Sequence, residues 1–304
     1  MSYRSTIIIP NTCQPNFMHA ALHGLVENSF YRHRIIVMWS EPGEGVETAT
    51  DFEIVAGERK KTFGSLRAFF DHHQGWLERN GVEVMNVTAR AAAFRARFER
   101  GEIYKDRPYE GGSAVAWMNN LALSLVKTEW AIPNWDADFY PGRHWDRSIF
   151  DYASSLSKTA KQYLIPMHVQ PAAMSLREAE AWDAWRDSGR ISLHRMAIPT
   201  TRVVDGFAYV TDEEFAKFQQ AWARPGETIR EPCGRRERLH WVPWILRTDD
   251  FNRVGGFSYQ GSGYDLDFDN RMGDAGFTKV GLCDSFIVHK GYVLPSCHVG
   301  AGGS

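Results

Sequence analysis

The chain has 304 residues, enough for one large domain or two ordinary ones, and its 43% apolar content can fill a substantial core, which excludes a disordered or collagen-like chain. Thirty-five basic residues against thirty-seven acidic ones leave a formal charge of -2, so binding to a polyanion by bulk electrostatics is excluded and any nucleic-acid contact must be local. The longest early apolar run, Ile7-Ile8-Ile9, has no cleavage-site pattern after it. Neither a signal peptide nor a transmembrane segment is expected, and the chain reads as cytoplasmic.

The opening, Ser5 to Pro10, reads as a strand, followed by the turn formers Asn11 to Asn16 and a helix marked by Met18, Ala21, Leu22 and Leu25. Arg34 to Trp39 is the next strand, which completes a βαβ unit. Leu66, Phe69, Phe70, His73, Trp76 and Leu77 lie at helical spacing, Asn80-Gly81 stops that helix, and Val82 to Val87 reads as a third strand. Residues 88 to 112 predict a helix and then a loop ending in Glu110-Gly111-Gly112. A helix over Ser113 to Lys127 leads into a strand over Trp130 to Trp135, with Asp136-Ala137-Asp138 at its carboxyl end, the edge where open α/β sheets bind ligands.

Beyond Pro141 the alternation weakens, and two capping boxes, Ser175-x-x-Glu178 and Thr211-x-x-Glu214, announce helices that read as an added layer. Arg224 to Arg238 predicts a loop and Trp241 to Arg247 a strand. The carboxylate-rich stretch Tyr264 to Arg271 starts a helix, and a strand then runs to His289. Cys13, Cys233, Cys283 and Cys297 form no Cys-x-x-Cys pair, which argues for free thiols rather than a zinc knuckle or a disulfide framework.

An Asp-x-Asp triplet suits a hard divalent cation that bridges two phosphates, since carboxylate oxygens bind magnesium or manganese. Taken alone, Asp136 and Asp138 fit a helix cap or a turn as well, and Asp265-Leu266-Asp267-Phe268-Asp269 repeats the pattern twice. The eleven tryptophans offer platforms for a flat ligand, Trp135 and Trp244 among them, although core packing explains each equally well. Arg230, Arg235, Arg236 and Arg238 read either as a solvated loop or as a phosphate clamp.

In their order along the chain these features resemble the GT-A glycosyltransferases, particularly the large inverting family 2, from Thr6 to His289. Ile7-Ile8-Ile9-Pro10 looks like the family's first nucleotide-binding unit, and Gly112 to Leu123 resembles its glycine-to-"RN" helix, with Asn119 or Asn120 as the asparagine. Val254-Gly255-Gly256-Phe257 is similar to the "GGF" segment, Tyr264 to Arg271 to the "ED-x-D-x-x-x-R" helix, and Ile287-Val288-His289 to the closing histidine. Trp39-Ser40-Glu41 stands where the family usually has an aspartate for the nucleotide base. Tyr264 stands where it has a glutamate, and Met118 where it has an arginine.

The resemblance implies an α/β chain with the GT-A fold, a Rossmann-like mixed central sheet flanked by helices, as a single domain over 1–304. About 1–140 would be the nucleotide-sugar half, and about 141–304 the acceptor half, with a helical insertion over 151–240. It further implies Mn2+ or Mg2+ held by Asp136, Asp138 and His289, and Asp265 as the general base. Donor contacts would come from Pro10, Trp39, Glu41, Asn119, Asn120, Asp136, Gly255 and Gly256. The expected activity is inverting transfer of a sugar, from a UDP-sugar donor above others, to the hydroxyl of a glycan. Hydroxymethylated pyrimidines in DNA are a second acceptor class, compatible with the Arg/Trp-interleaved stretch Arg224 to Trp244. A non-catalytic sugar-nucleotide-binding domain is the reading from another class.

Overall fold

The computed structural model describes residues 2–41, 51–55, 58–105, 107–187, 196–234, 243–261, 263–289 and 293–294. The first half alternates strands and helices: β1 (Ser5–Asn11), α1 (Pro15–Asn28), β2 (Arg34–Trp39), the hairpin strands β3 (Glu53–Val55) and β4 (Glu58–Lys60), α2 (Leu66–Arg79), β5 (Val82–Asn86), α3 (Thr88–Glu99), α4 (Gly111–Leu123) and β6 (Trp130–Ile132). It continues through β7 (Phe139–Pro141), α5 (Arg147–Ser155), β8 (Gln162–Ala173), α6 (Leu176–Asp187), β9 (Met196–Thr200), β10 (Val203–Val204), β11 (Phe207–Ala208), β12 (Val210–Thr211) and α7 (Asp212–Trp222). The last elements are β13 (Thr228–Pro232), β14 (Leu246–Arg247), α8 (Thr248–Val254), α9 (Tyr264–Asp274), β15 (Thr278–His289) and β16 (Val293–Leu294).

β1 is the centre of the first sheet, whose order is β14-β6-β1-β2-β5, with β14 antiparallel to β6 and the other pairings parallel. A parallel strand covered on both faces needs apolar residues at every position, and Ile7, Ile8 and Ile9 are all fully buried. Both expected capping boxes close reciprocally, Ser65 Oγ accepts from the Ala68 N–H to cap α2, and α1 opens at Pro15, inside the stretch expected as a turn.

The second sheet runs β13-β15-β8-β9, and β7 also pairs with β15. Residues 151–240, expected as a helical insertion, therefore also supply β8, a central strand that pairs with β15 in parallel register. Pro166 in β8 has no N–H to donate, and its backbone faces the same side as that of Leu164, which bonds Ile245, so the ladder to β15 loses no donor there. Mutual hydrogen bonds between Leu164 and Ile245, at 2.8 and 3.0 Å, link the two sheets, and one apolar core runs under both.

Within that core lies a buried charge network under α9. Lys279 is fully buried, and its Nζ lies 2.9 Å from Glu231 Oε1 and 3.4 Å from Asp269 Oδ2. Asp269 also accepts from the Tyr163 hydroxyl and, at 2.9 Å, from the Gly234 N–H. Burial, followed by the Asp269 carboxylate, pushes the Tyr163 phenol and the Cys233 thiol up, so both stay protonated. Among the described residues Cys13, Cys233 and Cys283 form no disulfide, and Cys297 lies outside the described residues.

α1 and α2 meet through a histidine cluster. The His19 ring stacks on His73 at 4.7 Å and meets His23 edge-on at 4.5 Å, while His23 stacks on Trp76 at 4.1 Å. Burial, reinforced by His19, His72 and His23, lowers the pKa of His73 from 6.5 to about 4. A depressed folded-state pKa means that the neutral ring contributes stability above pH 6.5, lost as the pH falls towards about 4. Thermal melts should therefore show the melting temperature declining across that window, and His73→Phe should decline less than the unsubstituted protein.

Candidate active site

The site is assembled by strand pairing. β7 begins one residue after Asp138 and runs antiparallel to the end of β15, with Phe139 opposite His289, Tyr140 opposite Val288 and Pro141 opposite Ile287. This register sets His289 beside Asp138, with Nε2 3.6 Å from Oδ2. Asp136, Asp138 and His289 each offer a ligand atom within 4.8 Å of the others, and all three are partly buried. Ligand atoms about 2.1 Å from one ion lie about 3 to 4.2 Å apart, so the three side chains must draw closer to share a cation. Two carboxylates and an imidazole suit Mn2+ well, and the nitrogen ligand makes Mg2+ the poorer match.

β6 ends at Ile132, earlier than the expected Trp135, because Asn134 turns the chain with a left-handed φ of 54°. The Asn134 N–H donates to Asn119 Oδ1 at 2.8 Å, and Asn134 Oδ1 accepts from Asn119 Nδ2 at 3.0 Å and from the Tyr264 hydroxyl at 2.6 Å. Its Nδ2 donates to Asp136 Oδ1 at 3.3 Å. Burial, then the nearby Asp136 and Asp265 carboxylates, pushes the Tyr264 phenol well above its ordinary value, so it stays a donor.

The next residue on α4 serves the other loop. Asn120 Nδ2 donates to the Phe257 carbonyl at 2.8 Å, and Asn120 Oδ1 accepts from the Phe257 N–H at 2.9 Å. Gly255 and Gly256 both have positive φ, 88° and 72°, and a Cβ on Gly256 would come within 2.8 Å of Asn120 Oδ1, so a larger residue there is excluded twice. Arg271 closes this turn from α9, donating to the Val254 and Gly256 carbonyls at 2.7 Å each and to Asp267 at 2.8 Å. Asp265 lies in the first turn of α9, whose N-cap is Gly263, and its Oδ1 accepts from the Leu266 N–H at 2.8 Å.

The other expected contacts are spread over the first sheet and its loops. Asn119 is fully buried, with its amide bonded to Asn134 and to the Val115 carbonyl. Trp135 and Trp244 are fully buried and are core residues, not stacking platforms. Pro10 is buried in β1 and Trp39 is 5% exposed at the end of β2. Glu41 follows that strand, where its N–H donates to Thr88 Oγ1 and its carboxylate accepts from Arg67. Arg230 donates to the Tyr152 hydroxyl, whereas Arg235, Arg236 and Arg238 lie outside the described residues. The residue that sequence reasoning passed over is Asn134. Its signal was a turn former that tolerates left-handed φ, placed after Pro133 and directly before the acidic triplet.

Compared as a sequence, the chain matches no family model and no curated protein. Compared as a structure, it is similar to TarS 1-349 of S. aureus, with a TM-score of 0.51 and 11% identity over 94% of this chain and 60% of that one. It is similar also to GalNAc-T7, solved with UDP, GalNAc and Mn2+, with a TM-score of 0.51 and 11% identity over 94% of this chain and 44% of that one. The chain thus spans less than two thirds of either, and at this identity the likeness is one of fold. The fold is GT-A, a mixed α/β sheet flanked by helices with its candidate metal ligands at the strand ends.

Proposed function

We propose that the chain is a metal-dependent glycosyltransferase that moves a sugar from a nucleotide-sugar donor, a UDP-sugar, to an acceptor hydroxyl of a glycan with inversion at the anomeric carbon. The observation that carries this reading is the convergence of Asp136, Asp138 and His289 within 4.8 Å, in a fold shared with a protein solved with UDP, GalNAc and Mn2+. A divalent cation, when bound there, supplies the positive charge that a leaving diphosphate requires.

The chain's own residues carry the remaining steps. Asp136, Asp138 and His289 would hold the cation, and the turn of Gly255 and Gly256, fixed by Asn120 and Arg271, lets backbone approach the transferred sugar. Asp265 accepts the proton of the acceptor hydroxyl while that oxygen bonds to the anomeric carbon and the bond to the diphosphate breaks. Because attack and departure occur on opposite faces in one displacement, the configuration inverts. Asp267 is paired with Arg271, and the role of base is assigned to Asp265 from its place in the carboxylate-rich helix.

Diphosphate and carboxylates repel until a cation lies between them, so UDP should raise the melting temperature with Mn2+ present and leave it unchanged in EDTA. An equal rise under both conditions would remove the metal from the reading. Two substitutions separate binding from chemistry. Asp138→Ala should lose metal-dependent UDP binding and sugar transfer together. Asp265→Asn should retain UDP binding while transfer falls by about 10²-fold or more, measured as UDP release with an active acceptor. Near-normal transfer by Asp265→Asn, or a product of retained configuration by NMR, would disprove Asp265 as the base.

A further inference from the structure

Asn134 is bonded in a way that leaves its side chain one orientation. Its Oδ1 receives two donors, Asn119 Nδ2 at 3.0 Å and the Tyr264 hydroxyl at 2.6 Å, and turning the amide over would set its NH2 against Asn119 Nδ2. The remaining group, Nδ2, is thereby aimed at Asp136 Oδ1, 3.3 Å away. The backbone is held as firmly: the Asn134 N–H is bonded to Asn119 Oδ1 at 2.8 Å, and the left-handed φ of 54° is one that asparagine accepts more readily than most residues. Asn134 is also 2% exposed, so solvent does not compete for these bonds.

Tyr264 is the first residue of α9, and Asp265 is the second. The Tyr264 to Asn134 bond therefore joins the turn that carries one candidate metal carboxylate to the turn that carries the candidate base, across 130 positions of sequence. We propose that Tyr264 and Asn134 form a brace that orients Asp136 for a divalent cation and keeps it in fixed relation to Asp265. Tyr264 is then a positioning residue, acting through Asn134. This rests on the metal-site reading above and adds to it a residue that is neither ligand nor base.

The test is a double-mutant cycle read by Mn2+ binding, followed by the loss of the free-ion paramagnetic resonance signal, so that no turnover is needed. Tyr264→Phe removes the hydroxyl and keeps the ring that packs on Phe257. Asn134→Gly removes the amide and keeps the left-handed backbone at no steric cost. The loss of one hydrogen bond predicts that Tyr264→Phe weakens Mn2+ binding by about three- to ten-fold. In the Asn134→Gly background, itself weakened, the same change should have no further effect, because the bond it removes is already gone.

Melting in EDTA shows that each variant is folded, and a purely structural role for Tyr264 would move that melting temperature without moving Mn2+ affinity. The brace is overturned if Tyr264→Phe binds Mn2+ as the unsubstituted protein does, or if its effect is equal in both backgrounds. Failure of the unsubstituted protein to bind Mn2+ is a different result, which overturns the metal-site reading itself along with the brace.

Discussion

The antiparallel pairing of β7 with the end of β15 is the constraint on which the site depends. Three residue pairs tie the first half of the chain to the second sheet, and the pair Phe139 and His289 sets how far the acidic triplet stands from the histidine. Side chains alternate along a strand, so a slip of one residue would turn His289 to the opposite face and disperse the group. The register is held from outside the site: β15 is locked between β8 and β13, and its apolar residues are buried in the core that underlies both sheets.

Around that pairing, the shape of the site is set by side-chain amides. Consecutive residues on a helix point about 100° apart. Asn119 and Asn120 use this divergence, one reaching Asn134 before the acidic triplet and the other the backbone of Phe257 after the double glycine. Arg271 adds a third clamp from α9. These bonds are made within the protein, so the loops are shaped before any ligand arrives, the condition under which charge stabilisation costs no rearrangement.

Much of this was legible in the sequence. The carboxylate-rich helix, the strand that ends at His289, the βαβ start and both capping boxes follow from local pattern. What local pattern could not show depends on partners far along the chain. β8 hid in a stretch read as helical because a proline interrupts its apolar run, and that proline turns its nitrogen away from β15. The burial of Trp135 and Trp244, and of Asn119, likewise depends on which elements cover them. Tyr264 read simply as a departure from a motif, since its partner Asn134 is distant in sequence.

The charge network beneath α9 bears on how the molecule opens. Asp269 anchors the buried face of α9 to Lys279 of β15, to Tyr163 of β8 and to the backbone of Gly234. Lifting the helix away by itself would break the bonds of Asp269 to Tyr163 and to the Gly234 N–H and leave Lys279 with Glu231 alone. The helix bearing Asp265 is thereby tied to the second sheet at its middle, so the amide hydrogens around Asp269 should exchange with solvent more slowly than those of its first turn.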